Sequence, residues 1–319
     1  MKCGFVALLG KPNAGKSTLL NACIGQKIAG VSTKPQTTRN KILGIDTIEG
    51  SQVIYLDTPG IHKSHQQIRI NQIMNQAAWN VLEEADYVCY LIDSRTGLSE
   101  EDETFIKEIL KKSQVPVEIF LTKTDSIKKA WVEENAQKIE SQLKEISLFI
   151  EESLTDKENK LVSVKPSLIS AKRPEEVNAL RTHLASNVPE GPFLFSEDEL
   201  TDKSQKFVAS EMIREQIFRQ LGDEIPYGIS VVVDKITTTP KITRVEATIV
   251  VEREAHKPIV LGAKGSRIKK LGISSRETLE RHFETQVMLD LFVRVQSNWI
   301  NNDKLIHELQ GILEQDDFI

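Results

Sequence analysis

Short apolar runs rich in β-branched residues alternate with longer stretches whose apolar positions recur every three or four residues, from residue 1 to about residue 190. That alternation predicts strands joined by crossover helices, an α/β domain with a mostly parallel sheet and flanking helices. The expected strands are Gly4–Leu9, Lys41–Thr47, Gln52–Asp57, Tyr87–Asp93, Val117–Leu121 and Leu168–Ser170. The expected helices are Ser17–Ile24, Ile68–Leu82, Glu100–Lys111, Trp131–Ile146 and Glu175–Ala185. Ser99 and Asp102 have capping-box spacing at the start of the third helix, with Asp where Glu or Gln is usual. The polar stretch Glu151–Lys165 fits neither period and is expected to be an exposed insertion or loop before the last strand.

The pattern breaks at Asn187-Val-Pro-Glu-Gly-Pro192, and the acidic stretch Glu197-Asp-Glu199 follows. The expected organisation is a first domain at residues 1–190, a linker at 191–203 and a second domain at 204–319. In the second, Ser204–Leu221 reads as a helix with Ile213, Ile217 and Leu221 on one face, followed by strands Ile229–Ile236 and Thr243–Glu252. Two short helices, Ser266–Leu271 and Ser275–Phe283, and a strand, Gln286–Val295, complete an α-β-β-α-α-β order, a small α+β fold. Asp303–Ile312 is expected to form a terminal helix.

A length of 319 residues suits two domains, each with its own core. The net charge of −5 argues against coating nucleic acid by bulk charge, so any such contact needs a local basic patch. Cys3, Cys23 and Cys89 are far apart, two of them within apolar runs, the signature of buried free thiols in a reducing compartment rather than of disulfides or a zinc site. No apolar stretch approaches the roughly 20 residues that cross a bilayer. A cytoplasmic protein is expected, with surface attachment to a membrane left open.

Gly10-Lys-Pro-Asn-Ala-Gly15-Lys16-Ser17 has the spacing G-x-x-x-x-G-K-S directly between a predicted strand and a predicted helix, the context of a phosphate-binding loop. Glycines let successive N–H groups turn toward a β-phosphate, Lys16 reaches β- and γ-oxygens, and Ser17 offers a hydroxyl to Mg²⁺. Asp57-Thr-Pro-Gly60 closes a strand, so Asp57 is placed to hold Mg²⁺ through water and Gly60 to offer its N–H to a γ-phosphate. Ser32–Arg39 lies where a loop would cover that phosphate; Thr38 is the preferred metal ligand there, Thr37 the alternative. His62, Lys63 and His65 are explained by a polar loop.

Thr122-Lys123-Thr124-Asp125 follows a strand and resembles the guanine-reading motif Asn/Thr-Lys-x-Asp, in which Asp125 would accept from guanine N1 and N2. Ser170-Ala171-Lys172 matches the companion motif that meets guanine O6. Together these segments resemble the translation-factor-related branch of small GTPases. The expected GTP/GDP contacts are Gly10, Lys11, Pro12, Asn13, Ala14, Gly15, Lys16, Ser17 and Thr18, then Asp57, Thr58, Pro59, Gly60 and Ile61. Thr122, Lys123, Thr124, Asp125, Ser170, Ala171 and Lys172 complete that set. Ser17, Thr38 and Asp57 are the expected Mg²⁺ ligands, and Lys16, Thr38 and Gly60 the expected catalytic groups. Thr122 replaces the usual Asn and loses an amide. Ile61 stands where Ras-like proteins carry a water-orienting Gln, so hydrolysis is expected to be slow or assisted from elsewhere. A rival reading keeps GTP as a structural ligand of an RNA-binding module.

Val260-Leu-Gly262-Ala-Lys-Gly265-Ser-Arg-Ile268 contains G-x-x-G at a turn opening a helix, the loop by which KH domains admit an RNA backbone. Val260, Gly262, Ala263, Lys264, Gly265, Arg267, Ile268 and Lys269 are the expected RNA contacts. From Ala255 to Arg276 there is no acidic residue, while Lys257, Lys264, Arg267, Lys269, Lys270 and Arg276 are basic, which is the local patch sought. With both domains in view the chain resembles the Era family of bacterial GTPases, which carry a C-terminal type II KH domain. The likeness is close at Thr201–Glu215 and Val251–Glu254, and it departs at Thr122 and at Glu151–Lys165. The resemblance implies slow GTP hydrolysis, binding near the 3′ end of small-subunit ribosomal RNA, a role in small-subunit assembly, a monomer, and peripheral association with the inner membrane.

Overall fold

The computed structural model describes residues 1–32, 34, 38–61, 69–153, 160–221 and 228–309. The expectations for Thr37, His62, Lys63 and His65, and for the end of the terminal helix, fall outside them. The chain forms two compact units. The first comprises Met1–Gly25, Lys41–Lys63 and Asn75–Asp202; the second comprises Gln26–Asn40, Ser64–Met74 and Lys203–Ile319.

In the first unit the strands are β1 (Lys2–Gly10), β2 (Ile42–Ile48), β3 (Ser51–Asp57), β4 (Tyr87–Asp93), β5 (Val117–Thr122) and β6 (Ser167–Leu168). They form one sheet in the order β2-β3-β1-β4-β5-β6, parallel except where β2 returns antiparallel against β3. The helices are α1 (Lys16–Ile24), α2 (Arg69–Glu84, of which Asn75–Glu84 groups with this unit), α3 (Glu100–Lys112), α4 (Lys129–Ser153) and α5 (Pro174–Asn187). Strand residues alternate between the faces. Ala7, Leu9, Val88, Tyr90 and Ile92 pack with Ala78 and Val81 of α2, Ile106 and Ile109 of α3, and Ile139 and Leu143 of α4. Helices α1 and α5 pack against each other and against β3. The third helix starts as expected, with Ser99 Oγ accepting from Asp102 N and the Asp102 carboxylate accepting from Ser99 N at 3.1 Å.

Two expectations need correction here. Helix α4 runs on to Ser153, so the stretch expected to be a loop from Glu151 begins inside a helix; Ile146 and Ile150 keep the 3.6-residue period and stay buried. Strand β6 is only Ser167–Leu168, which leaves Ser170 beyond its end. The linker region is not a loose tether. Buried Gln52 accepts from Leu194 N and Phe195 N at 2.9 and 3.1 Å and donates to Phe195 O at 2.9 Å. Further along, Ile45 N donates to Leu200 O at 2.9 Å and Leu43 N to Asp202 Oδ1 at 3.2 Å, which covers the open edge of β2.

The second unit has a three-stranded sheet, β7 (Ile229–Thr238), β8 (Ile242–Val251) and β9 (Gln286–Val295), with β7 antiparallel and β9 parallel to β8. Helix α6 (Gln205–Gln220) packs on β7, with Ser204 Oγ capping it by accepting from Phe207 N. The expected pair of short helices is instead one continuous helix, α8 (Ser266–Phe283), preceded by a short α7 (His256–Leu261). Gly272 lies inside α8 without ending it, and a methyl there would make an ordinary contact with Leu291 Cδ1 at 3.8 Å. The helix α9 (Asp303–Leu309) closes the described chain, and Trp299, Ile306 and Leu309 pack with Val250, Ile70 and Met74.

Residues 26–40 join this unit through specific contacts. Buried Glu215 of α6 accepts from Lys27 Nζ at 2.6 Å and Val31 N at 2.9 Å. The Arg39 guanidinium lies 5.8 Å from the Phe218 ring centre and 5.7 Å from that of Trp299, and donates to Ile229 O at 2.8 Å. The three cysteines are free and buried; burial pushes all three thiols up, Cys23 to about 12.

Candidate nucleotide site and nucleic-acid interface

The loop Gly10–Gly15 leaves the end of β1 and enters α1. It depends on unusual backbone angles: Gly10, Asn13 and Gly15 have φ of 139°, 65° and 104°. At Gly10 even a methyl would sit 2.5 Å from Leu91 O, so no side chain fits. Lys16 is buried in this loop and donates to the carbonyl oxygens of Gly10 and Lys11, both at 3.0 Å. Burial pulls its amine down to about 8; the Asp57 carboxylate pulls it back up and Lys123 pushes it further down.

Ser17 Oγ donates to Asp57 Oδ2 at 2.6 Å, so the two expected metal-binding side chains meet. Thr58 Oγ1 donates to Leu8 O at 3.1 Å. Gly60 lies against the phosphate loop so closely that a methyl would be 2.4 Å from Pro12 N. Thr38, the third expected metal ligand, is buried and groups with residues 26–40 of the second unit. Ile61 N donates to Gly10 O at 3.2 Å, but its side chain is buried in the core with Leu9, Leu56 and Tyr90 and so faces no ligand.

The base end is built from three strand ends. Thr122 closes β5, and its hydroxyl points at Ala14 O (2.6 Å) and Ile92 O (3.1 Å). It thus ties the phosphate loop to the sheet, although a single hydroxyl proton serves only one acceptor well. Lys123, at φ 57°, sends Nζ to Asn13 O and to Asp93 Oδ2 at 2.9 Å. Asp125 Oδ1 accepts from Ser170 Oγ at 2.6 Å and Oδ2 from Lys172 Nζ at 2.9 Å. The Ser170 bond and then Lys172 hold that carboxyl down to about 2, so it stays an acceptor at physiological pH. Ser170 N donates to Glu176 Oε2 at 2.6 Å, and Ser170 Oγ accepts from Lys172 N, which fixes the turn carrying Ala171.

Sequence reading missed Asp93 and Glu176. The position of Asp93 at a strand's C-terminal end, level with Thr122, was the available signal. It also missed what Lys11 does. Lys11 Nζ donates to Ser99 Oγ at 2.9 Å and Asp102 Oδ2 at 3.3 Å, anchoring the phosphate loop to the cap of α3. A narrow glycine cradle, a buried lysine, a hydroxyl–carboxylate pair and an ionised aspartate beyond a third strand fit the phosphates, magnesium and base of a guanine nucleotide.

In the second unit the G-x-x-G loop lies between α7 and α8 and opens α8 at Ser266, as the sequence suggested. Gly262, Lys264 and Gly265 all have positive φ, at 72°, 50° and 75°. Ala263, Lys264, Arg267, Lys269 and Lys270 are exposed, with Gly262, Gly265 and Ile268 half-buried. Val260, an expected RNA contact, is instead 1% exposed and belongs to the core. Arg267 donates to Ile259 O at 3.1 Å, which braces the loop from behind.

The fold and site define a phosphate-loop GTPase joined to a KH domain. A family model described as a 50S ribosome-binding GTPase matches residues 5–123, and one described as a KH domain matches residues 224–300. Curated relatives called GTPase Era include one from Pseudomonas fluorescens, 39% identical over 97% of this chain and 96% of its own length. Another, from Xylella fastidiosa, is 40% identical over 95% of each chain. Among solved structures, Era in complex with MgGDPNP and nucleotides 1506–1542 of 16S ribosomal RNA matches 97% of this chain and 98% of its own, at a TM-score of 0.83 and 32% identity. An Aquifex aeolicus Era variant bound to GDP and AlF4⁻ matches equally well, with a TM-score of 0.83. The chain belongs to the GTPase Era family.

Proposed function

We propose that this protein is a GTP-hydrolysing switch that binds small-subunit ribosomal RNA near its 3′ end and acts in small-subunit assembly. The observation that carries the reading is the joint presence, in one chain, of the Lys16–Ser17–Asp57 cradle with the ionised Asp125 and of the exposed basic G-x-x-G loop. The family's solved complex with MgGDPNP and 16S RNA supports it. The first family model names the large subunit, whereas that complex carries 16S RNA, which belongs to the small one; the complex is the more specific guide.

In this reading the N–H groups of Gly10–Ser17 and Lys16 hold the phosphates. Ser17 and Asp57 would hold magnesium, which would supply neutralisation of phosphate charge when bound. Gly60 N–H faces the terminal phosphate, and Thr38 completes the metal set in the nucleotide-bound state. Asp125 accepts from guanine while the Ala171 N–H meets O6. With Ile61 in the core, no side chain from that position orients water, so intrinsic hydrolysis is slow. Attachment to the inner face of the membrane rests on the family resemblance alone; among the described residues no helix is long and apolar enough to cross one.

Single-turnover GTP hydrolysis, with and without the 3′ segment of 16S RNA, tests the proposal. Turnover that is slow alone and faster with RNA is expected. Tight binding of both ligands with no turnover in either condition would favour a structural role for GTP.

A further inference from the structure

Asp93 belongs to none of the nucleotide-binding motifs, yet its carboxylate is the most heavily used acceptor at the base end of the site. Its Oδ2 accepts from Lys123 Nζ at 2.9 Å and from Arg95 Nη2 at 2.6 Å, and its Oδ1 from Arg95 N and Arg95 Nε, both at 2.9 Å. The backbone is equally fixed. Asp93 pairs with Thr122 across β4 and β5, Ser94 N donates to Thr122 O at 3.0 Å, and Gly97 N donates to Asp93 O at 3.0 Å. The side chain is 11% exposed. Burial alone would raise this carboxyl, but the bonds from Arg95 and Lys123 more than reverse that and bring it to about 2.

Lys123 needs such a partner. Its four-carbon stem samples many rotamers when free, and its ammonium lies close enough to Lys16 to push that amine's affinity for a proton down. A methyl at Gly15 would lie 3.8 Å from Lys123 Cε, so the stem runs over the phosphate loop with Nζ bonded to Asn13 O on one side and Asp93 on the other. Two anchors at one end hold the stem flat where a purine would stack. They also commit the Lys123 charge to Asp93, leaving Lys16 for the phosphates.

We infer that Asp93 is a positioning residue for guanine-nucleotide affinity, acting through Lys123 rather than by touching the nucleotide. The inference rests on the GTP reading above. Its rival is that Asp93 only shapes the turn through Arg95.

The test is the dissociation rate of mant-GDP from the full chain in Mg²⁺ buffer, for Asp93→Asn, Lys123→Met, the double variant and Arg95→Ala. Asp93→Asn should release mant-GDP about tenfold faster, equivalent to about 1.4 kcal/mol. The double variant should be no faster than Lys123→Met alone, because the carboxylate has nothing left to position. Arg95 is half-exposed, so Arg95→Ala should fold and release at the wild-type rate. If the two single effects multiply in the double variant, or Arg95→Ala matches Asp93→Asn, the residue acts on the turn and the inference is overturned. A wild-type chain that retains no mant-GDP overturns the nucleotide reading itself, a different and separately visible result.

Discussion

Replacing Gly265 by Asp and, separately, by Asn asks whether the G-x-x-G loop meets a phosphate. At φ 75° either side chain adopts a left-handed backbone, at a cost of about 1 kcal/mol and less for Asn and Asp than for other residues. Space is not limiting, because a Cβ there has only Ile268 Cγ2 within reach, at 4.0 Å. The two variants therefore share their strain and shape and differ in one charge. A carboxylate about 6 Å from a phosphate costs about 0.7 kcal/mol in water and about 3 kcal/mol at an effective dielectric near 20. The Asp variant should accordingly bind RNA some 3- to 100-fold more weakly than the Asn variant at low salt, and the gap should narrow as salt screens the charge. Fluorescence anisotropy with a labelled 16S 3′-end RNA across a KCl series reads this, after thermal melts show that both variants are folded. Gly262→Asp is a poorer probe, since its Cβ would lie 2.8 Å from Arg267 N and must shift the first turn of α8. Equal affinities of the Asp and Asn variants at every salt concentration would refute phosphate contact at this loop.

Asp125→Asn should move preference from GTP toward XTP, measured by competition against mant-GDP; unchanged GTP affinity would remove Asp125 from the site. Because the Asp125 carboxyl is depressed to about 2, its contribution is present above the ordinary carboxyl range and lost only as pH falls toward 2. Guanine selectivity should therefore be flat between pH 5 and pH 8. Lys16, pulled down to about 8, should regain its proton when phosphates bind, so calorimetry near pH 8.5 in buffers of different ionisation heat should show net proton uptake; zero uptake would contradict its burial. The same shift makes the nucleotide-free protein gain stability as pH rises from 8 toward 10.5, since the unfolded chain then holds more protons. Ile61→Ala should destabilise the fold by about 2–5 kcal/mol in urea melts, as a cavity-forming change, while hydrolysis in the folded protein stays within about tenfold. A thousandfold loss of turnover would mean that Ile61 takes part in the chemistry.

Strands such as Tyr87–Asp93 and Gln286–Val295 were legible to the residue, because an apolar run bounded by charged or turn residues has few other ways to be buried. The phosphate loop was equally plain, since its glycines, lysine and serine are local in sequence. What stayed hidden depends on contacts distant along the chain. Helix α8 runs unbroken through Gly272 while it packs against β9, a contact that no window of sequence contains. Ile61 reads as a loop residue until Leu9 and Tyr90 are seen around it. The grouping of residues 26–40 with the second unit rests on Arg39 beside Phe218 and Trp299, residues some 180 and 260 positions away. Asp93 was overlooked because a lone aspartate ending a strand is common, and only the position of Lys123 Nζ gives it a task.

The three raised thiols carry a practical consequence. Thiolates, not thiols, attack maleimides and peroxides, and with Cys23 near 12 the reactive fraction at neutral pH is negligible. Cys3 and Cys89 are shifted the same way and are also covered. The native protein should therefore resist oxidative inactivation and thiol alkylation while folded, and label only as it unfolds. One added surface cysteine would then be the sole attachment point for a dye, in a chain whose own sulfurs need no removal.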